Sequence, residues 1–442
     1  MASTPPTGPQ LDRTLGPLLL WGLGVGYVIS GMYFGWNLGL EKGGTLGLAV
    51  ATGFVTLMYI TFTFSYTELA CAIPKAGGAF DYAVRALGKH WGFLGGMAQN
   101  IEFVFAPPAI AFAIGAYLNI LMPSVPVLAI AIVAYFVFTA LNIYGIQAAA
   151  WFELAITVVA VLGLLIFTGA TLPGFEWRNL ELNALPHGWA GAFAALPFAI
   201  WFFLAIEGVA NVAEETVNPQ RNVLFGFGSA ILTLVVLCVL TFAASVGVGG
   251  WEVVVYPAPG AAPSDSPLPL AMAHTVGPAN VWYKVVAFIG LFGLVASFHG
   301  IILAAGRATF EFGRVGFAPA VLGKVHPRFH TPANALFINM GVGIVALFTG
   351  KTAEIITIAC FGALTLYIIS MVALIRLRQR EPEMERPFRV PLYPWFPLTA
   401  LAIAAAAFLA ITVYNPWLAL VYFVLLAVAY LWFRLATGSF GR

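Results

Sequence analysis

The sequence predicts an all-α membrane protein with twelve transmembrane helices. Three observations carry this reading. Of 442 residues, 61% are apolar and only 9% are charged, whereas a soluble domain carries about 25% charged residues. Mean hydropathy is +0.93. A spanning helix needs roughly 20 mostly apolar residues, and twelve stretches qualify: 17–40, 45–69, 91–119, 125–145, 151–172, 189–212, 223–248, 284–306, 333–350, 353–375, 395–414 and 416–435. A soluble enzyme is excluded, and so is a disordered chain, which needs low hydrophobicity and high net charge. A net charge of +2 gives no basis for a nucleic-acid partner.

Residues 1–16 are polar and Pro-rich and are expected to form a short disordered segment. The first span is too long for a signal-peptide core and should stay in the mature chain. An even span count puts both termini on one side. With that side cytoplasmic, sixteen Lys and Arg fall inside and four (Lys42, Arg178, Lys284, Lys351) outside, which sets the orientation by the positive-inside rule. The outer loop 249–283 is Pro-rich and carries no Lys or Arg. The inner segment 307–332 reads as a short amphipathic element on the cytoplasmic surface. The inner loop 376–391 reads as a solvated charge cluster. Cys71, Cys238 and Cys360 lie far apart, with no disulfide or metal spacing.

Transporters often place substrate at the midplane, between helices interrupted at matching points of two repeats. The first span, GLGVGYVISGMYFGWNLGL, is Gly-rich, and the sixth, LPFAIWFFLAIEGVANVAEE, holds Glu207-Gly208 where an apolar helix should run on. These two spans are five apart. That suits five-helix repeats over 17–172 and 189–375, two further helices over 395–435, and a tail at 436–442. Close helix packing is the simpler role for glycines taken alone.

Two carboxylates lie deep in spans, Glu102 and Glu207, with no deep Lys or Arg. A carboxylate in hydrocarbon costs at least ~2.5 kcal/mol, so each needs a partner, water or a proton. The pathway therefore favours positive charge: a substrate ammonium, Na⁺ or H⁺. Glu102 has Gln99 one turn before it on the same face, and Pro107 and Pro108 after it, which are expected to kink the helix. A protonated Glu102 bonded to a neighbouring helix is the alternative. His299 reads either as a packing residue or as a proton relay. Glu68, Glu153, Glu214 and Glu215 are placed near membrane faces. Glu214 and Glu215, with Arg221, read as a cytoplasmic salt-bridge, capping or gating group.

The stretches ELACAIPKAGGAFDYAVRALGKHWGFLGG (68–96), AEETVNPQRN (213–222) and GRATFEFGRVGFAPAVLGKVHPRFHTP (306–332) resemble cytoplasmic signatures of the amino acid–polyamine–cation transporter superfamily. The resemblance implies a LeuT-like fold: two inverted five-helix repeats, unwound first and sixth helices, and alternating access. GVGYVISGMYFGWNLGL, IEFVFAPPAIAFAIGAYL and PFAIWFFLAIEGVANVAEET are similar to the bacterial ethanolamine permease group, which implies the cell (inner) membrane. The sixth helix is also similar to that of the arginine/agmatine antiporter, where a Trp six residues before a Glu gates substrate. Here those residues are Trp201 and Glu207.

Two departures bear on substrate. Typical amino acid permeases carry a G-S-G-type run whose free N–H groups cradle a carboxylate; here the run is Ile29-Ser30-Gly31. Many proton-coupled relatives carry a fifth-helix Lys, and the matching position is Ala160. Both the altered run and Glu207 favour an amine without a carboxylate. The expectation is a secondary transporter, not an enzyme, that imports ethanolamine or a similar small cationic amine. Ser30, Gly31, Met32, Glu102, Trp201, Phe202, Glu207 and Gly208 are its substrate-binding candidates. Glu102, Glu207 and His299 are its coupling candidates, with no cofactor and with H⁺ or Na⁺ as the coupling ion. The protein is expected in the bilayer as a monomer or homodimer. Rival readings are an amino acid permease, a polyamine or agmatine carrier, and a membrane sensor. No nucleophile–base pair, metal spacing or phosphate loop supports an enzyme.

Overall fold

The computed structural model describes residues 14–75, 77–144 and 149–439, apart from the side chains of 149, 214, 437 and 439. The expected N-terminal segment, up to residue 13, and the last three residues lie outside that description. Among the described residues the regular structure is helical, with one isolated bridge between Leu15 and Thr216.

Nine described helices are long and apolar enough to cross a bilayer: Asn37–Ala72, Lys89–Leu121, Val127–Tyr144, Ala150–Gly174, Pro219–Val246, Val281–Arg314, Thr352–Arg380, Trp395–Tyr414 and Pro416–Ala436. Three expected spans are not continuous helices of that length, and each has a local cause. The first, 17–40, divides into Pro17–Val28, Ser30–Tyr33 and the start of Asn37–Ala72. That last helix joins the expected second span across Gly44, whose φ of 64° interrupts the helix. The sixth, 189–212, divides into Gly188–Ala194, Leu196–Trp201 and a 3₁₀ segment Ile206–Glu215. The ninth is Ala333–Leu347, only 15 residues, stopped before Gly350 at φ 65°.

Burial grades the helices into an inner and an outer set. The best-buried apolar windows are in Thr352–Arg380 (78%), Val281–Arg314 (67%) and Lys89–Leu121 (61%), against 28% and 17% for the last two helices. Gly362 explains one close contact: a Cβ there would sit 2.6 Å from the Ala98 carbonyl. The helix Lys89–Leu121 continues through Pro107 and Pro108. The outer helices expose Val239, Leu409, Val413 and Leu435, an apolar surface of the kind a bilayer solvates.

Two expectations for the inner loops are corrected. Residues 307–314 are the last turns of Val281–Arg314, not a surface element, because Phe312 packs with Phe80, Phe93, Phe317 and Phe433 in a separate aromatic cluster. Turns then cover 315–332, starting at Gly316 with φ 77°. The loop 376–391 is not simply solvated. Arg378 Nε and Nη2 each donate to Glu68 at 2.7 Å, and buried Arg386 lies 3.2 Å from the same carboxylate. The Val390 N–H also donates to Glu68, at 2.8 Å. Glu68 is 1% exposed; it is near water in sequence but enclosed in the fold. Glu68→Gln leaves Arg386 buried without its counter-charge, and breaking such a pair costs about 3–5 kcal/mol. The expected outcome is a clear loss of thermal stability, whereas Arg85→Gln, at the exposed pair with Glu381, should change it little.

The outer loop folds over the first-helix break. Asn37 Nδ2 donates to the Ser264 carbonyl at 2.8 Å, and Thr352 Oγ1 donates to Asp265 at 2.9 Å. Burial pushes the Asp265 carboxyl up to about 6. The sign follows directly: a raised carboxyl value favours the protonated fold, so the stabilisation is complete below about pH 4 and is lost as pH rises through about 6. Thermal melts of wild type and Asp265→Asn should therefore diverge across that window, the variant becoming relatively more stable above it. Parallel curves would contradict this.

Candidate substrate site

The site is built where the two interrupted helices meet. In the first, Ile29 keeps a helical φ of −59°, yet the Ser30 N–H does not close the usual bond to the Gly26 carbonyl. It donates to Ser297 Oγ at 2.9 Å, and Ser297 Oγ donates to the Gly26 carbonyl at 2.6 Å. A side-chain hydroxyl thus sits inside the i→i−4 ladder, a recognised cause of a local break. The chain then turns extended at Phe34 and left-handed at Gly35, φ 87°. Gly35 is needed twice over, because a Cβ there would also overlap the Trp201 indole.

The groups this break frees are already satisfied from neighbouring elements. Tyr117 Oη donates to the Tyr33 carbonyl at 2.7 Å, and Trp36 Nε1 to the Met32 carbonyl at 3.1 Å. Tyr33 Oη donates to the Ala160 carbonyl at 2.7 Å, so Ala160 does lie against the break. The N–H of Met32 donates to Ile29. Of the expected backbone contacts, those of Ser30 and Met32 are therefore occupied.

In the sixth helix the break falls at 202–205, just before Glu207. Ala205 adopts a left-handed φ of 76°, a conformation that costs a non-glycine residue about 1–2 kcal/mol. Gly31 brings the two breaks together, since any Cβ there would overlap the Trp201 carbonyl. Gly208 likewise admits the Tyr27 ring, 2.8 Å from where a Cβ would be. Trp201 stands edge-on to Phe34 with ring centres 5.4 Å apart, and Phe202 stacks on Trp36 at 5.6 Å.

Glu102 and Glu207 are both fully buried and lie close enough to interact directly. Glu207 Oε2 accepts from Tyr367 Oη at 3.0 Å, and Tyr367 Oη lies 3.0 Å from Tyr59 Oη. Apart from their contact with each other and that of Glu102 with the Ala205 backbone, Glu207 Oε1 and the Glu102 oxygens have no hydrogen-bond partner among the described residues, and neither has Trp201 Nε1. No described Lys or Arg pairs with either acid. Sequence reasoning missed Tyr59, Tyr367 and Ser297, which carry no local signal in their apolar stretches.

The other expected groups lie elsewhere. His299 does not join the two acids; its Nδ1 lies 3.3 Å from Glu153 Oε2. Glu153, placed near a membrane face by sequence, is 2% exposed. Glu215 pairs with Arg307 at 2.9 Å rather than with Arg221, which is exposed and lies over the Phe225 ring. The Glu214 side chain is outside the described residues.

Comparison with known proteins identifies the family. Residues 15–436 match the family model described as amino acid permease. The chain belongs to that family. It is accordingly a multi-pass membrane transporter and not an enzyme. It is similar to an uncharacterized transporter of Rhizobium meliloti (28% identity, covering 100% of this chain and 96% of the relative). It is also similar to the methylthioribose transporter of Bacillus subtilis (25%; 89% and 87%) and to that organism's branched-chain amino acid permease (24%; 94% and 90%).

In this permease Ser297→Ala removes the bridge between Gly26 and Ser30. A buried group left unpaired costs about 1–3 kcal/mol, so a lowered melting temperature and slower transport are expected. Wild-type values for both would mean that the hydroxyl is dispensable to the break.

Proposed function

We propose that this permease imports a small amine lacking a carboxylate, with ethanolamine as its substrate. The observation that carries the reading is the Glu102–Glu207 pair: two fully buried acids in contact with each other, with no Lys or Arg paired to either among the described residues. An isolated carboxylate is costly to bury unless it is paired. A substrate ammonium supplies the missing charge, and its hydroxyl suits the remaining polar groups. Trp201 adds a cation–π contact worth about 2 kcal/mol when desolvated and closes the site as an outer gate. The Ser30 N–H, which a substrate carboxylate would seek, is held by Ser297.

Transport proceeds by alternating access in an inner-membrane protein with twelve spans and cytoplasmic termini. Two inverted repeats, 17–172 and 189–375, rock about the breaks near Gly35 and Ala205, and an H⁺ or Na⁺ gradient drives accumulation. Glu215 and Arg307 form the cytoplasmic closure. An amino acid is the second reading, favoured by the similarity to the branched-chain permease; it requires Ser297 to release the Ser30 N–H.

Uptake of labelled ethanolamine into proteoliposomes tests this. Removing one member of a buried charge pair costs about 2–5 kcal/mol, so Glu207→Gln should lower apparent affinity at least tenfold at unchanged protein level. Near-normal uptake by the variant would sink the ion-pair mechanism. Stronger competition by alanine than by unlabelled ethanolamine would favour the second reading, and stronger competition by putrescine would favour a polyamine carrier.

A further inference from the structure

A second buried acid lies apart from the substrate site. Glu153, on the fifth span, and His299, on the eighth, face each other at 3.3 Å, 2% and 8% exposed at their side chains. Glu153 Oε1 has no hydrogen-bond partner among the described residues. It points at the first helix: a Cβ on Gly26 would lie 2.6 Å from it, and one on Gly300 would lie 3.4 Å away. The two glycines leave room for that oxygen and for nothing larger.

We propose that Glu153 and His299 form a proton-binding site that couples transport to a proton gradient, and that Tyr27 conveys its state to the substrate break. The pair carries one negative charge without the proton and none with it. An enclosed charge without a partner is costly, so the two states favour different packings of the helices around it. Those helices are the ones that must move. Gly26 is the residue whose carbonyl is captured by Ser297, one turn before the first-helix break.

Tyr27 connects the two sites sterically. Its ring fills the space that a Cβ on Gly300 would take, beside Glu153, and its other edge lies 2.8 Å from the Cβ position of Gly208, next to Glu207. A shift of the first helix against Glu153 is thereby felt at the sixth-helix break. Arg307 and Glu215, the charged groups towards the end of these helices, pair with each other at 2.9 Å. The other described contacts of His299 are uncharged: Phe138 and Phe152 against its ring, and Asn142 on its carbonyl.

This inference rests on the proposed amine import for one arm of its test and stands alone in the other. In proteoliposomes, Glu153→Gln should lose pH-gradient-driven accumulation of labelled ethanolamine by about tenfold or more while keeping ethanolamine counterflow within about twofold of wild type. Glu153→Asp should restore part of the accumulation. Equal accumulation by Glu153→Gln and wild type overturns the proposal, as does equal loss of accumulation and counterflow. His299→Asn serves in the same way should Glu153→Gln fail to fold.

The second arm uses no substrate. Ala308→Cys, in a small pocket that Gln99 and Asn211 also line, is made in a chain whose three native cysteines are replaced by alanine. Its maleimide labelling rate, corrected for thiol ionisation, should change about threefold or more between about pH 5.5 and 8, and Glu153→Gln should flatten that response. A flat response with Glu153 intact overturns the proposal whatever the substrate. If wild type carries no ethanolamine yet this response is present, the substrate reading fails and the proton site stands.

Discussion

Glu102 and Glu207 face each other in a space that water does not reach, and the chain supplies no described cation to either. They contact each other, and Glu102 also meets the Ala205 backbone, but neither receives a counter-charge from the described residues. Elsewhere the protein does supply one. Glu68 is enclosed just as fully, yet it receives Arg378, Arg386 and a backbone N–H. The contrast matters because buried charges are tolerated when paired and hydrogen-bonded, and are costly otherwise. Glu68 is given counter-charges within the fold, and Glu102 and Glu207 are the pair that the proposed amine would neutralise.

The local architecture around the two acids is set by the two interrupted helices. Breaking two helices in apolar surroundings exposes backbone groups that need partners. Side chains from neighbouring helices provide them: Ser297 at Ser30, Tyr117 at Tyr33 and Trp36 at Met32. The breaks are thus fixed features, held open by hydrogen bonds rather than by looseness. Gly31 lets the broken segments approach to backbone contact and Gly35 makes room for the Trp201 indole, while Phe34 packs on Trp201 and Trp36 on Phe202.

The helical class and the membrane environment are legible in composition and in the run of apolar segments, because hydrophobic length is a local property. The interruptions are legible too, as glycines and an acid where a uniform helix should continue. Their details are not: at Ser30 the first helix is interrupted by Ser297, 267 residues away in sequence, and it opens further at Phe34–Gly35. Long-range pairing hides the rest. Nothing near Glu153 in sequence announces His299, and nothing near Glu68 announces Arg378. Position along a span distinguishes deep from shallow, but it does not distinguish enclosed from solvated. That is why Glu68 and Glu153 look peripheral in sequence and are buried in the fold.

The claim that the paired acids need a cation is tested most directly by calorimetric binding of ethanolamine and of ethylene glycol to the purified protein. The two ligands have similar size and share a hydroxyl, and they differ in the ammonium. Ethanolamine should bind at least about 100-fold more tightly, the nearly 3 kcal/mol expected when a buried carboxylate gains a charged partner. Equal affinity for the two, or tighter binding of the uncharged glycol, would contradict the account.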